Sequence, residues 1–178
     1  MSTLLINKND FKDYKSISKG RDFDSIEQYI QEAQDLDLKD LMCRAFFYDI
    51  IKNYQEPLYQ DLINGCTYTN IYGYEVEFKG IKPVLVYFAY ARYIFRSHVS
   101  DTPFGAVQKT NEFSTPISST EKRDIRDRYR TDAMQYWDEV KIYLNDKYQS
   151  YPKWLNCGGL DCHKCRKKNT GPFKMSVI

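Results

Sequence analysis

Val84-Leu85-Val86-Tyr87-Phe88-Ala89-Tyr90-Ala91-Arg92-Tyr93-Ile94-Phe95 is the stretch on which the fold turns. Eleven of its twelve side chains are apolar or aromatic, so as a helix it has no polar face for water and must be covered on most sides. It is shorter than the roughly 20 residues of a membrane span, and Arg92 sits near its middle. Pro83 falls where a first helical turn tolerates proline, because the amide it lacks would be unpaired there anyway. Val84, Phe88, Ala91 and Phe95 form one stripe, and Tyr87, Tyr90 and Ile94 a second. At least two other helices are therefore expected against this one.

Working outward, Asn7 is expected to cap a short helix over 7–15 anchored by Phe11 and Tyr14. Asp24 and Glu27 form an acidic capping box for a helix carrying Ile26, Tyr29, Ile30 and Ala33. A companion helix is expected to begin near Asp37, with Leu38, Leu41, Met42, Ala45, Phe46 and Ile50 on its inner face. Pro57 opens a short helix through Tyr59, Leu62 and Ile63 that Gly65 closes. Between Cys66 and Lys79 the period changes to two, which predicts a small hairpin turning at Asn70–Gly73. Such a hairpin is marginal alone and needs a surface to pack on. Residues 99–118 hold Pro103, Gly105 and Pro116 with no helical period. They read as a long, functional loop with Phe104, Val107 and Phe113 to bury. Ser118 and Glu121 cap the longest helix, expected to run to about Tyr148 with Pro152 ending it. The fold class is mainly α: a helical bundle around a central hydrophobic helix, with one small β-hairpin, an extended loop and a C-terminal tail.

The 26 basic and 24 acidic residues nearly cancel, so net charge gives no reason to expect a nucleic-acid binder. The N-terminus lacks the apolar run and cleavage site of a signal peptide, which places synthesis in a reducing cytoplasm. The five cysteines are not the even, regularly spaced set of a disulfide scaffold. Cys157, Cys162, His163 and Cys165 are four zinc-type ligands in nine residues, but a second knuckle is missing, so no metal is expected and free thiols in a tail are the favoured reading. His98, at the end of the core helix, suits a capping or surface role. Paired carboxylates such as Asp35 and Asp37, or Asp138 and Glu139, are expected on solvent faces. No nucleotide-binding or metalloprotease motif is present, no catalytic constellation emerges, and no cofactor is expected. Lys122, Arg123, Arg126, Arg128 and Arg130 are the best case for phosphate contact, but they alternate with Glu121, Asp124, Asp127 and Asp132, which can pair much of that charge along the helix. Lys164, Arg166, Lys167 and Lys168 lack such partners and are candidates for contact with DNA or an acidic surface; a merely solvated tail is the alternative. The sixteen tyrosines suit surfaces that are wet before assembly and buried after it.

The ordered segments Phe46-Phe47-Tyr48-Asp49-Ile50-Ile51, Tyr59-Gln60-Asp61-Leu62-Ile63-Asn64-Gly65, Phe78-Lys79-Gly80-Ile81-Lys82 and Tyr87-Phe88-Ala89-Tyr90-Ala91-Arg92-Tyr93 together resemble the head-tail connector, or neck adaptor, proteins of tailed bacteriophages. Asp101-Thr102-Pro103-Phe104-Gly105 and the long helix through Tyr143-Leu144 continue the likeness, most closely to the neck ring proteins of crAss-like phages. The likeness covers roughly Ile6 to Tyr148. It implies a connector-like domain over 1–152 and a separate basic, cysteine-bearing tail over 153–178. It further implies a non-enzymatic virion protein: a homo-oligomer, dodecameric in that family, ringing the genome channel between the portal protein and other neck or tail proteins, with passing contact to genomic DNA. Tyr68, Tyr72 and Tyr74 on the hairpin and Phe104 and Phe113 on the loop are then the expected intersubunit anchors, with packing inside their own subunit as the alternative. A small nucleic-acid-binding protein using the basic, zinc-capable tail is the rival reading.

Overall fold

A computed structural model describes residues 3–15, 26–96, 99–102, 105–108 and 118–155. Asn7 caps a 3₁₀ turn, Lys8–Asp13, through a reciprocal box with Asp10, and Phe11 on that turn is buried. Asp24, half of the expected acidic box, lies outside the described residues. Helix α1 begins as Ile26–Glu32, continues as a π-helical segment Ala33–Leu38, and ends as Lys39–Leu41. The expected start of a second helix near Asp37 is therefore displaced. Asp37 belongs to the inward stripe of α1, and the break comes at Met42 and Cys43, both extended, before α2, Arg44–Asn53. Helix α3, Pro57–Asn64, has its proline at the first turn and Gly65 as its cap, as the sequence predicts.

Strands β1, Cys66–Thr69, and β2, Glu75–Phe78, pair antiparallel with Tyr68 opposite Val76. Helix α4, Lys82–Arg96, is the central helix: Val84, Leu85, Val86, Phe88, Ala89 and Ala91 are all buried. It packs along α1 and along α5, Ser119–Asp146, whose Ser118–Glu121 capping box is formed. Burying each large side chain of α4 contributes about 1.5–3 kcal/mol, which makes this helix the shared centre of the core. The fold is thus mainly α with an antiparallel hairpin. A second hairpin, β3 Val99–Thr102 with β4 Gly105–Gln108, occupies part of the stretch expected as a loop. Its strands, Val-Ser-Asp-Thr and Gly-Ala-Val-Gln, lack the aromatic alternation that marks the first hairpin.

Past α5 the chain turns through Lys147–Ser150, buries Tyr151, and enters a short helix α6, Pro152–Leu155. Pro152 thus opens an element where it was expected to close one. Trp154 packs between Phe46 of α2 and Trp137 of α5, with ring centroids 5.7 and 6.2 Å away, and its indole N–H donates to Asn145. The packed unit therefore reaches at least Trp154.

Two glycines fix where the first hairpin leaves the bundle. Gly65 and Gly80 have φ of +93° and +78°, and the segments around them cross backbone to backbone. A Cβ on Gly65 would lie 2.3 Å from the Phe78 carbonyl oxygen, and one on Gly80 2.4 Å from that of Ile63. Gly65→Ala and Gly80→Ala are each expected to lower stability by at least about 2 kcal/mol in chemical denaturation, combining left-handed strain with a clash the backbone must move to relieve. Gly73 also has positive φ but open space around it, so Gly73→Ala is expected to cost only about 1 kcal/mol.

Candidate functional site

The first hairpin is built as a fixed base with an apolar tip. At its base Phe78 stacks on Tyr143 of α5, centroids 4.0 Å apart and planes within 8°, while Tyr68 meets the same ring edge-on at 4.9 Å. The Tyr68 hydroxyl donates to Asp146, and only 8% of Tyr68 is exposed. Strand alternation explains this: Cys66, Tyr68, Val76 and Phe78 face the bundle, while Thr67, Thr69, Glu75 and Glu77 face water. Tyr68 therefore packs inside its own subunit.

The tip is different. Asn70 Oδ1 accepts from the backbone N–H of Tyr72 and of Tyr74, its own N–H donates to the Tyr74 carbonyl, and Gly73 supplies the positive φ. This ordered turn presents Ile71, Tyr72 and Tyr74 at 66%, 77% and 70% exposure. Tyr72 and Tyr74 thus sit on the turn rather than on the strands, and Ile71 joins them. A hydrogen-bonded turn that holds three large apolar side chains in water has a surface ready for burial at little further cost in backbone ordering.

Beside the base lies an open cavity of about 650 Å³, walled by Tyr14, Phe78, Tyr87 and Tyr136 and rimmed by Asp13, Glu77 and Lys79. Burial pushes the Tyr14 and Tyr136 hydroxyls above their ordinary range, with Asp13 adding to the effect at Tyr14 and Tyr87 at Tyr136. Cys66 also lines this cavity, its sulfur 3.8 Å from the Tyr143 hydroxyl. Burial, and the hydrogen bond to Tyr151, hold that hydroxyl protonated, so it offers the thiol no base. On the next face, the Lys15 ammonium sits 4.2 Å from the Tyr87 ring centroid and 4.4 Å from that of Tyr129.

Under α4 lies an ion cluster. Asp37 is 6% exposed and accepts from Arg92 Nε at 2.6 Å and Arg130 Nη1 at 2.9 Å. Glu32 accepts from Arg96 Nη1 at 2.6 Å and more weakly from Arg92 at 3.4 Å. The expectation that both Asp35 and Asp37 face solvent is thus corrected. Asp35 is exposed, but Asp37 is the eleventh residue after Ile26 and shares its stripe with Ile30 and Ala33. Arg130 reaches across to Asp37, while Arg126 pairs along its own helix with Asp127 at 2.7 Å.

Several expected positions fall elsewhere. Phe104 and Phe113, His98, the Cys157, Cys162, His163, Cys165 cluster and the basic Lys164, Arg166, Lys167, Lys168 all lie outside the described residues. Among the described residues no helix is long and apolar enough to cross a membrane.

Comparison with known proteins gives one finding about kinship. No curated protein and no solved structure matches this chain. Residues 38–164 match a family of unknown function, DUF6712, a span that begins at the end of the π segment and takes in α2 to α6 with both hairpins. That is well over half the sequence, and the chain belongs to the DUF6712 family.

Proposed function

We propose that this protein is a structural virion component: a neck ring subunit, made in the host cytoplasm, that joins the portal to the tail around the genome channel and performs no catalysis. The likeness to phage connector proteins suggests the role, and one observation in the fold carries it. The Ile71, Tyr72 and Tyr74 tip is ordered, apolar and exposed on a hairpin whose base is clamped by Tyr68, Phe78 and Tyr143. A ring needs two different faces that join head to tail, and a rigid arm with aromatic anchors supplies one of them. Tyr68 acts from beneath by fixing the arm's direction.

The test is co-expression with a candidate portal protein and tail-completion protein, followed by electron microscopy. Closed rings seated on the portal are the expected result. The Tyr72→Asp/Tyr74→Asp double variant is expected to stay folded, since neither side chain supports the bundle, and to weaken assembly by roughly tenfold or more. Wild-type assembly by that variant would refute the role of the tip. Salt-dependent DNA binding through Lys164, Arg166, Lys167 and Lys168, with no assembly on a portal, would replace the ring reading by the nucleic-acid-binding one.

A further inference from the structure

A cleft of about 270 Å³ lies where the C-terminal half of α4 meets the N-terminal half of α5. Arg92, Arg96, Arg126 and Arg130 line it, Phe95 forms part of its floor, and Asp127 is its one acidic liner. Glu32 and Asp37, which hold three of these arginines, are not part of the lining. Those two acids orient three of the guanidiniums and Asp127 pairs with Arg126, so four arginines meet three carboxylates and the cluster keeps one net positive charge together with the N–H donors that the acids leave unused.

The hydrogen bonds reinforce this. Glu32 engages Arg96 through Nη1, and Asp37 engages Arg130 through Nη1. A guanidinium carries five N–H donors in a planar fork, so each of these arginines has donors beyond those its carboxylate uses. Two cations on α4 and two on α5, several of them pinned from α1, form a preorganised receptor rather than a set of loose surface charges.

We infer that this cleft binds a phosphate group. A carboxylate brings two oxygens and one charge, enough for two guanidiniums, as Asp37 shows. A phosphate brings three or four oxygens around a tetrahedron, and can accept from several forks converging from two helices. The group can come from a polynucleotide backbone or from free phosphate. The site rests on the cleft alone and holds whether or not the protein forms a ring.

The test is calorimetric titration of the full chain with inorganic phosphate and, separately, with a short DNA duplex. Arg96→Gln/Arg126→Gln is the variant of choice, because it leaves both partners of Asp37 in place. Arg126→Gln alone is the second variant should loss of the Arg96–Glu32 pair disturb folding, which circular dichroism reports. One phosphate per chain is expected, weakened by roughly tenfold or more in the variants. If the duplex also loses affinity and salt dependence in the variants, the source is a nucleic-acid backbone; if only phosphate binding falls, the source is free phosphate. Unchanged affinity for both ligands in the variants would overturn the inference. So would displacement of phosphate by poly-glutamate at equal charge concentration, since that would make the cleft a carboxylate receptor.

Discussion

Asp37→Ala is expected to lower the stability of the fold by about 3 kcal/mol. Asp37 is buried under α4 and takes two charge-assisted bonds, from Arg92 and Arg130. Removing it strands the Arg92 guanidinium, 18% exposed, with only the longer contact to Glu32 as compensation. Arg130 is 45% exposed and can turn to water, which keeps the loss near the lower end of the range for broken buried pairs. The asymmetry between breaking a pair and replacing it gives the sharper test. Asp37→Leu/Arg92→Met substitutes apolar volume for both charges and is expected to recover most of the loss. Urea denaturation of the two singles and the double closes a mutant cycle. A single-mutant loss below about 1 kcal/mol, or additivity in the cycle, would mean that the cluster is not coupled in the way its geometry implies.

The part of this fold that sequence makes legible is the part written in long periods and caps. The Val84–Phe95 run has to be the core helix because nothing else can cover it. Ser118 and Glu121 mark the start of α5 because that spacing closes two otherwise orphan N–H groups at once. Asn70 and Gly73 mark a turn by chemistry that operates within five residues. Contacts closed over long sequence separation are another matter. Arg92 in an apolar run is a signal that some carboxylate must reach it, and Asp37, in register with Ile26, Ile30 and Ala33, is the acid whose position breaks the solvent-face pattern. Neither residue alone names its partner. Only the approach of α1 to α4 makes them a pair, and the π segment that carries Asp37 has no distinct sequence period. The hairpin divides the same way: alternation assigns Tyr68, Val76 and Phe78 to one face, but whether that face meets Tyr143 or another subunit depends on where α5 runs. The convergence of Arg92 and Arg96 with Arg126 and Arg130 is likewise a property of two helices packed together, invisible in either one.

Raising the pH is expected to unfold the protein cooperatively between about pH 10 and 12, well before the arginines that hold α1 to α4 titrate. Burial pushes the Tyr68 hydroxyl up to about 12, helped by its bond to Asp146; burial does the same for Tyr151, also to about 12, helped by the charge of Asp61. Tyr59, beside Asp49, and Tyr143, bonded to Tyr151, are raised as well, in each case first by burial. All four shifts have one sign: the folded state keeps protons that the unfolded chain releases near pH 10. The contribution is therefore complete below pH 10 and is lost as pH climbs toward the folded values, because above pH 10 the unfolded state binds fewer protons. Tyr143→Phe keeps the stacked ring against Phe78 and removes one of these protons. It is expected to cost about 1 kcal/mol at neutral pH for the lost hydrogen bond, and to reduce the pH slope of stability in the alkaline range by close to one proton. Stability followed by denaturation at stepped pH, with tyrosinate absorbance recorded in parallel, checks both numbers. Stability that stays flat through pH 11, or an unaltered slope in Tyr143→Phe, would show that these hydroxyls are freely hydrated. Because Tyr68 and Tyr143 also clamp the hairpin base, the same titration should release the Ile71, Tyr72 and Tyr74 tip from its fixed direction.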